Sequence, residues 1–166
     1  MRARIAAVLV LLVAAGATAV VALTRSHAAA APKDDPRAFA VHIVRLITAN
    51  RYAEAWETLN PVDQSVAPRA EYVGCEQRTP IVAKLREVRA LHVSDDSVGL
   101  GDGKFIPSTV VAVRIAFEGD DSFAITHDVH LVAVHGRWTW VLPSWRYRSF
   151  RANRCATAPS APSTSE

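Results

Sequence analysis

The sequence lacks the short motifs by which several enzyme classes are identified. The stretch G-L-G-D-G at residues 99–103 has neither a following helical pattern nor a lysine–serine pair, so it does not indicate a phosphate-binding loop. No nucleophile-elbow serine motif occurs, and the chain contains no internal repeat. Function therefore has to be inferred from less specific features of the chain.

Acidic residues are absent from the first 33 positions. Arg2 and Arg4 precede an uncharged run of nineteen apolar or small residues at positions 5–23. Such a run is about long enough to cross a bilayer core of ~30 Å as a helix, and it exceeds the ~7–15 residues typical of a cleaved signal peptide. However, small residues suitable for cleavage follow it. Residues 1–27 are therefore predicted to be either an uncleaved membrane anchor or a signal peptide, and both alternatives export the domain that follows.

Lysine is also scarce, with three lysines against sixteen arginines. Together with abundant alanine and valine, this bias is typical of a bacterial genome of high GC content. When the three arginines of residues 1–27 are set aside, the remaining 16 basic residues equal the 16 acidic ones. The exported part is nearly neutral, which does not favour a nucleic-acid partner.

Cysteine occurs only twice, as Cys75 and Cys155. No cysteine lies directly after the apolar run, so a bacterial lipid-anchor signal is absent. In an oxidising compartment two cysteines pair by default. Closing a loop of about eighty residues would contribute roughly 4 kcal/mol. A thiol nucleophile or a metal-ligating pair is disfavoured, because neither cysteine has a second ligand near it. We expect a structural disulfide.

The remainder divides into a linker at residues 28–35, one domain at residues 36–155 and a tail at residues 156–166. The tail is rich in proline and serine and is predicted to be disordered. In the first half of the domain, apolar residues recur at helical spacing. The predicted helices cover residues 36–49, 52–59 and 68–76. Asp34 or Asp35 is positioned to cap the first helix, whose first residue is Pro36.

The second half of the domain alternates apolar and polar residues, which is typical of strands. The predicted strands cover residues 82–93, 109–118, 123–133, 138–142 and 145–150. Residues 94–108 are rich in turn-forming residues and are predicted to be an exposed loop or a hairpin. Tight turns are expected at Gly119-Asp120-Asp121 and at His135-Gly136-Arg137.

The third strand is predicted to have one buried face and one wetter face. The buried face comprises Phe123, Ile125, His127, Val129, Leu131 and Ala133. The opposite face carries Thr126, Asp128 and His130. The order of elements predicts the α+β class, with three N-terminal helices packed on a curved antiparallel β-sheet.

This order resembles the NTF2-like superfamily, whose members form a cystatin-like α+β cone. The features that carry the resemblance are the segment R-Y-A-E-A-W-E-T-L-N-P in the second helix and the strand pattern that ends in W-x-W. The resemblance covers residues 36–155 and implies a pocket between helices and sheet. It also implies two classes of function, since the superfamily contains isomerases and cyclases as well as non-catalytic binding domains.

His127 is the best candidate for chemistry, because its predicted face points toward that pocket and its intrinsic pKa suits a general base. The alternative is a hydrogen-bonded core histidine. Asp128 and His130 share the other face, and no further ligand is evident, so no metal site and no cofactor are expected. The catalytic carboxylate that the resemblance implies for isomerases is not found on the apolar faces, since Glu54, Glu57 and Glu71 fall at solvated helix positions.

Aromatic and basic residues give two further candidate surfaces. Tyr52, Trp56 and Tyr72 can line a pocket for an apolar ligand, or they can simply be core. The segment from Trp145 to Arg151 interleaves arginines with aromatics and can contact an anion or an acidic partner. A strand with solvated arginines explains that segment equally well.

The sequence therefore predicts an exported NTF2-like module of the bacterial cell envelope, without catalysis and tethered to the membrane by its N-terminal segment. Its partner is expected to be an unknown protein or a small apolar ligand. The alternatives are an isomerase- or cyclase-type enzyme that uses His127, and a structural interaction domain.

Overall fold

The computed structural model of the protein describes residues 32–100, 103–119 and 123–155. The predicted anchor or signal peptide and the predicted tail lie outside the described residues. The described part contains five helices and one four-stranded antiparallel sheet, so the α+β class is confirmed. Within these ranges, no helix combines the length and the apolar character needed to span a bilayer.

Four helices precede the sheet and one follows it. They are α1 (Pro36–Thr48), α2 (Tyr52–Glu57), α3 (Pro61–Val66), α4 (Arg69–Glu76) and α5 (Ser144–Arg151). The predicted helices at residues 36–49, 52–59 and 68–76 correspond to α1, α2 and α4. The prediction of three N-terminal helices was therefore one helix short.

The cap of α1 is Asp35, one of the two predicted alternatives. Its side chain accepts a hydrogen bond from the backbone N–H of Arg37 at 3.0 Å, and Pro36 occupies the first turn. A proline is tolerated there because the first N–H groups of a helix have no partner within the helix. The apolar face of α1 is buried against the sheet.

The missed helix, α3, begins where the sequence was expected only to end α2. The side chain of Asn60 accepts from the N–H of Val62 at 3.0 Å, and Pro61 is the first helical residue. The pair Asn60-Pro61 both stops α2 and starts α3, since a proline that breaks one helix suits the first turn of the next.

The strands pair in the order of the sequence. They are β1 (Leu85–Gly99), β2 (Phe105–Phe117), β3 (Ala124–Val134) and β4 (Arg137–Trp140), and each pairs with the next in antiparallel fashion. The turn between β3 and β4 is the two-residue loop His135-Gly136, in which both residues have positive φ. This geometry favours a hairpin, because its twist matches that of the strands.

Most of the predicted exposed loop at residues 94–108 is strand. Ser94 pairs with Val110, and Gly99 pairs with Phe105, so of the two alternatives the hairpin is correct. Cross-strand pairing outweighs the poor strand propensity of Asp95 and Asp96, a context effect that composition alone does not reveal.

The predicted last strand at residues 145–150 is wrong, because this segment is the helix α5. Pro143 immediately precedes α5, and Tyr147 and Phe150 are its buried residues. Residues three apart share one face of a helix. The Phe150 ring lies 6.0 Å from that of Tyr72 on α4, which fixes the buried face of α5.

The core lies between α1 and the face of the sheet that carries Val111, Val113, Val129 and Leu131. Trp140 of β4 joins this core, and its indole N–H donates to the carbonyl of Ala55 at 2.8 Å.

The buried face predicted for β3 is only partly right. Val129 and Leu131 are buried, but Phe123 is 56% exposed and Ile125 is 50% exposed. The exposed half of β3 is the half that β4 does not reach, since β4 pairs only with the last four residues of β3. Alternation predicts which residues share a face but not whether another element covers it.

The disulfide prediction is confirmed. The sulfur atoms of Cys75 and Cys155 lie 2.00 Å apart, and the bond links residues separated by 80 positions. Cys75 belongs to α4, and Cys155 follows α5 shortly after its end. The bond therefore ties α5 to the helical half of the domain.

Candidate functional site

A cavity of about 720 Å³ opens beside α1, β3 and α5, and the end of β1 and the start of β2 contribute Ser97, Val98, Gly99 and Phe105 to its wall. A volume of this size is typical of small-molecule sites. Its apolar wall includes Ile43, Val44, Ile47, Val129, Trp140 and Leu142. Its polar wall includes Thr126, His127, Asp128, His130 and Arg148. An apolar wall combined with a few polar groups is the composition expected of a ligand pocket.

The cavity exists because β4 is short. After Trp140, one more strand-like bond to β3 forms among the described residues, from the N–H of Val141 to the carbonyl of His130 at 3.1 Å. Residues 124–129 of β3 therefore have no strand on that side among the described residues, and they form the free half of this strand, with a free edge toward the cavity.

Leu142 and Pro143 turn the chain away from β3. The backbone N–H of Leu142 donates to Oδ2 of Asp63 at 2.9 Å, on the side of the chain that faces away from β3. Pro143 has no N–H and cannot extend the pairing. α5 then begins at Ser144 and contributes Trp145 and Arg148 to the cavity wall.

Asp63 is fully buried, and its Oδ1 atom has no hydrogen-bond partner among the described residues. Burial raises the pKa of this carboxyl to about 6, and the hydrogen bond from Leu142 opposes the rise only in part. Desolvation disfavours the charged form of a carboxyl, which explains the direction. The group that positions the cavity wall is therefore itself titratable near neutral pH.

The structure places His127 in the wall of the large cavity. Its side chain is exposed by surface area, but it stands in a concave wall, and desolvation by the surrounding atoms lowers its pKa. Asp128 acts to raise that pKa and His130 to lower it further. A lowered pKa leaves the imidazole neutral at pH 7, the form in which it can accept a proton.

A second, smaller cavity of about 190 Å³ shares His127 with the first. Its polar lining adds Tyr72, Glu76 and Arg146. Burial raises the pKa of Tyr72 to about 12, against a smaller opposing effect of the Arg146 charge. Tyr72 therefore stays neutral at neutral pH and can donate a hydrogen bond.

Arg146 of α5 forms an ion pair with Glu76 of α4, and both side chains are largely buried. Burial lowers the pKa of Arg146, and the nearby phenols of Tyr72 and Tyr52 act to raise it. Its guanidinium also lies 5.3 Å from the centroid of the Phe150 ring, within cation–π range. The arginines of this segment thus differ, since Arg146 is an internal link and Arg148 lines the large cavity.

The other predicted pocket residues lie elsewhere. Tyr52 is buried, and its hydroxyl donates to the side chain of Asn50 at 2.5 Å. The indole N–H of Trp56 donates to the carbonyl of Ala67 at 2.8 Å. Neither residue lines the two cavities, whereas Tyr72 lines the smaller one.

Sequence reasoning missed Asp63 and Glu76, and it assigned Arg146 to a strand whose arginines contact an anion or solvent. Asp63 lies in the helix that was not predicted, and Arg146 lies in the helix that was predicted as a strand. The motif N-P-x-D at residues 60–63 could have revealed α3, because it combines a cap residue, a first-turn proline and a first-turn acid.

Among the described residues, no group of three or more His, Cys, Asp or Glu side chains is arranged to hold a metal ion. Comparison of the chain with family models, with curated proteins and with solved structures finds no match.

Proposed function

We propose that residues 36–155 form a non-catalytic, NTF2-like ligand-binding module that is exported and tethered to the bacterial cell envelope by its N-terminal segment. The cavity of about 720 Å³ carries this proposal. Its walls combine three aliphatic residues of α1 with the free half of β3, so a ligand with an apolar body can displace water from them. A ligand that enters this cavity is thereby favoured over a protein partner that binds a surface without a cavity.

Two observations support the proposed location outside the cytoplasm. The disulfide between Cys75 and Cys155 suits an oxidising compartment, because cytosolic thiols are kept reduced. The basic and apolar character of residues 1–27 suits an anchor or an export signal. Fractionation of a bacterial host that expresses the full chain tests this location, and a soluble cytoplasmic product would contradict it.

Lauric acid is a suitable probe of the cavity, since it has an apolar chain and one carboxylate that can approach Arg148. We expect saturable one-to-one binding in a calorimetric titration. Replacing Ile47, which lines both cavities, by tryptophan should weaken that binding by about tenfold or more. The matched control Val62→Trp lies on α3 outside both cavities and should bind as the native chain does. Equal affinity of the Ile47→Trp variant would refute the cavity as the site.

The smaller cavity favours a second candidate function, an isomerase- or cyclase-type enzyme that uses His127. The observation behind it is that Tyr72, Glu76 and Arg146 line the same cavity as this histidine. A neutral imidazole beside a phenol and an ion pair is an arrangement in which a proton can be accepted and an oxygen stabilised.

Substitution of His127 separates these candidates. On the binding proposal, His127→Ala should leave the affinity for lauric acid within about threefold, because apolar burial dominates the binding. The control His92→Ala alters an exposed histidine of β1 that lines neither cavity. A loss of more than about tenfold in His127→Ala alone would favour the enzyme instead.

A further inference from the structure

The free half of β3 presents backbone hydrogen-bonding groups to the large cavity. In an antiparallel sheet, alternate residues direct both their N–H and their C=O to the same neighbouring strand. The carbonyl of His130 accepts from Val141 on the β4 side, whereas the carbonyl of Phe123 accepts from Phe117 on the β2 side. By this parity, the N–H and C=O groups of Thr126 and Asp128 point away from β2, toward the side that β4 leaves open.

The large cavity lies on this open side. Thr126 and Asp128 both line it, together with the neighbouring residues His127 and Val129. The cavity therefore takes the place that further residues of β4 would fill if the chain did not turn away at Leu142. An unpaired strand edge is a template for another extended backbone.

We propose that the occupant of this cavity is an extended peptide segment of about five residues, which continues β4 and hydrogen-bonds to Thr126 and Asp128 of β3. This inference rests on the proposed ligand-binding function and names its ligand class. Side chains of such a peptide alternate between the two faces of the sheet. Those on the inner face meet Ile43, Val44 and Ile47 of α1, so apolar residues at alternate positions fit there.

The walls of the cavity select among possible partners. The free edge lies beside α1 and α5, so a single extended chain has access to it more readily than the edge of a second folded sheet. Arg148 lines the cavity and has no ion-pair partner among the described residues. The peptide is therefore expected to carry a carboxylate, either a glutamate side chain or its own C-terminus.

The probe is a pool of N-acetylated pentapeptides with Val, Leu, Ile or Phe at positions one, three and five, and Thr or Glu between them. Two further pools carry N-methyl groups at the odd or at the even positions. We expect the unmodified pool to bind and to displace lauric acid. Only one of the two methylated pools should lose affinity, by about tenfold or more, because only alternate N–H groups face β3.

Hydrogen exchange locates the contact. Binding of the unmodified pool should slow exchange of the Thr126 and Asp128 amides by about tenfold or more, whereas lauric acid should not. Asp128→Pro and Asp128→Ala both remove the carboxylate, but only the proline removes the outward N–H, so it should bind the pool about tenfold more weakly than the alanine variant. If the proline variant does not fold, the comparison of the two methylated pools decides whether the peptide pairs with β3 through its backbone.

The outcomes separate the two proposals. If lauric acid binds but the peptide pool does not, or if both methylated pools bind as well as the unmodified one, the peptide inference is overturned and the ligand-binding function stands. If neither lauric acid nor the pool binds, both fail.

Discussion

Reduction of the disulfide between Cys75 and Cys155 is expected to lower the free energy of unfolding by roughly 4 kcal/mol. The bond closes a loop across 80 positions, and opening such a loop restores conformational freedom mainly to the unfolded chain. For a domain of this size the melting temperature should fall by more than about 10 °C. Thermal unfolding followed by circular dichroism, with and without a reductant, measures the change.

The double variant Cys75→Ser, Cys155→Ser is the control for this experiment. It should melt at the temperature of the reduced native chain and should not respond to the reductant. Two titratable thiols in native protein purified without a reductant would show that the bond is absent, and an unchanged melting temperature on reduction would show that it has no effect on stability.

Loss of the disulfide should also affect the cavity. The bond tethers the end of α5 to α4, and α5 supplies Trp145 and Arg148 to the cavity wall. The buried ion pair between Glu76 and Arg146 is a second link between the same helices. After reduction these helices are linked by the ion pair and by the ring contact between Phe150 and Tyr72, without a covalent bond. We therefore expect weaker lauric acid binding after reduction even at temperatures where the domain stays folded.

The sequence predicted the elements whose signals are local. The cap at Asp35 and the strand alternation from Val111 to Phe117 depend on neighbouring residues, and both are found in the structure. The disulfide was predicted because only two cysteines were available to pair. These features require no knowledge of what lies across the domain.

The failures come from interactions that are distant in sequence. Ile125 alternates correctly with Val129, but its exposure depends on where β4 ends, and Pro143 and the start of α5 end the pairing. The alternation at Trp145 to Phe150 is compatible with a strand or a helix, and contact with Tyr72 decides for the helix. The cavity results from these distant contacts, so the sequence could name His127, Tyr72 and the arginine-bearing segment as candidates but could not predict which of them share a cavity.

Asp63 is expected to make the stability of the protein fall as the pH rises through the interval from about 4 to about 6. Its native pKa is raised from 3.8 to about 6, so between these values the folded state binds more protons than the unfolded state. Stability falls with rising pH wherever the folded state binds more protons. A rise of about two in the pKa corresponds to a loss of about 3 kcal/mol of folding stability. This loss is absent below the pKa of the unfolded state and complete above the pKa of the folded state.

Asp63→Asn isolates this effect from the other titrating groups. Its amide oxygen can still accept from the N–H of Leu142, but the side chain no longer ionises. We expect the unfolding free energy of the native chain, minus that of the variant, to fall by about 2 kcal/mol between pH 4 and pH 7 in urea titrations. The difference between the native chain and Asp63→Ala should show the same pH trend. Because alanine leaves the Leu142 N–H without an acceptor, this variant should also be about 1–3 kcal/mol less stable than Asp63→Asn at every pH.

A difference between the native chain and the Asn variant that stays constant or grows with pH would mean that Asp63 is ionised in the folded state well below pH 6. The carboxyl would then require a donor for its Oδ1 atom, and the position of Leu142 and the adjoining cavity wall would not depend on pH in this range.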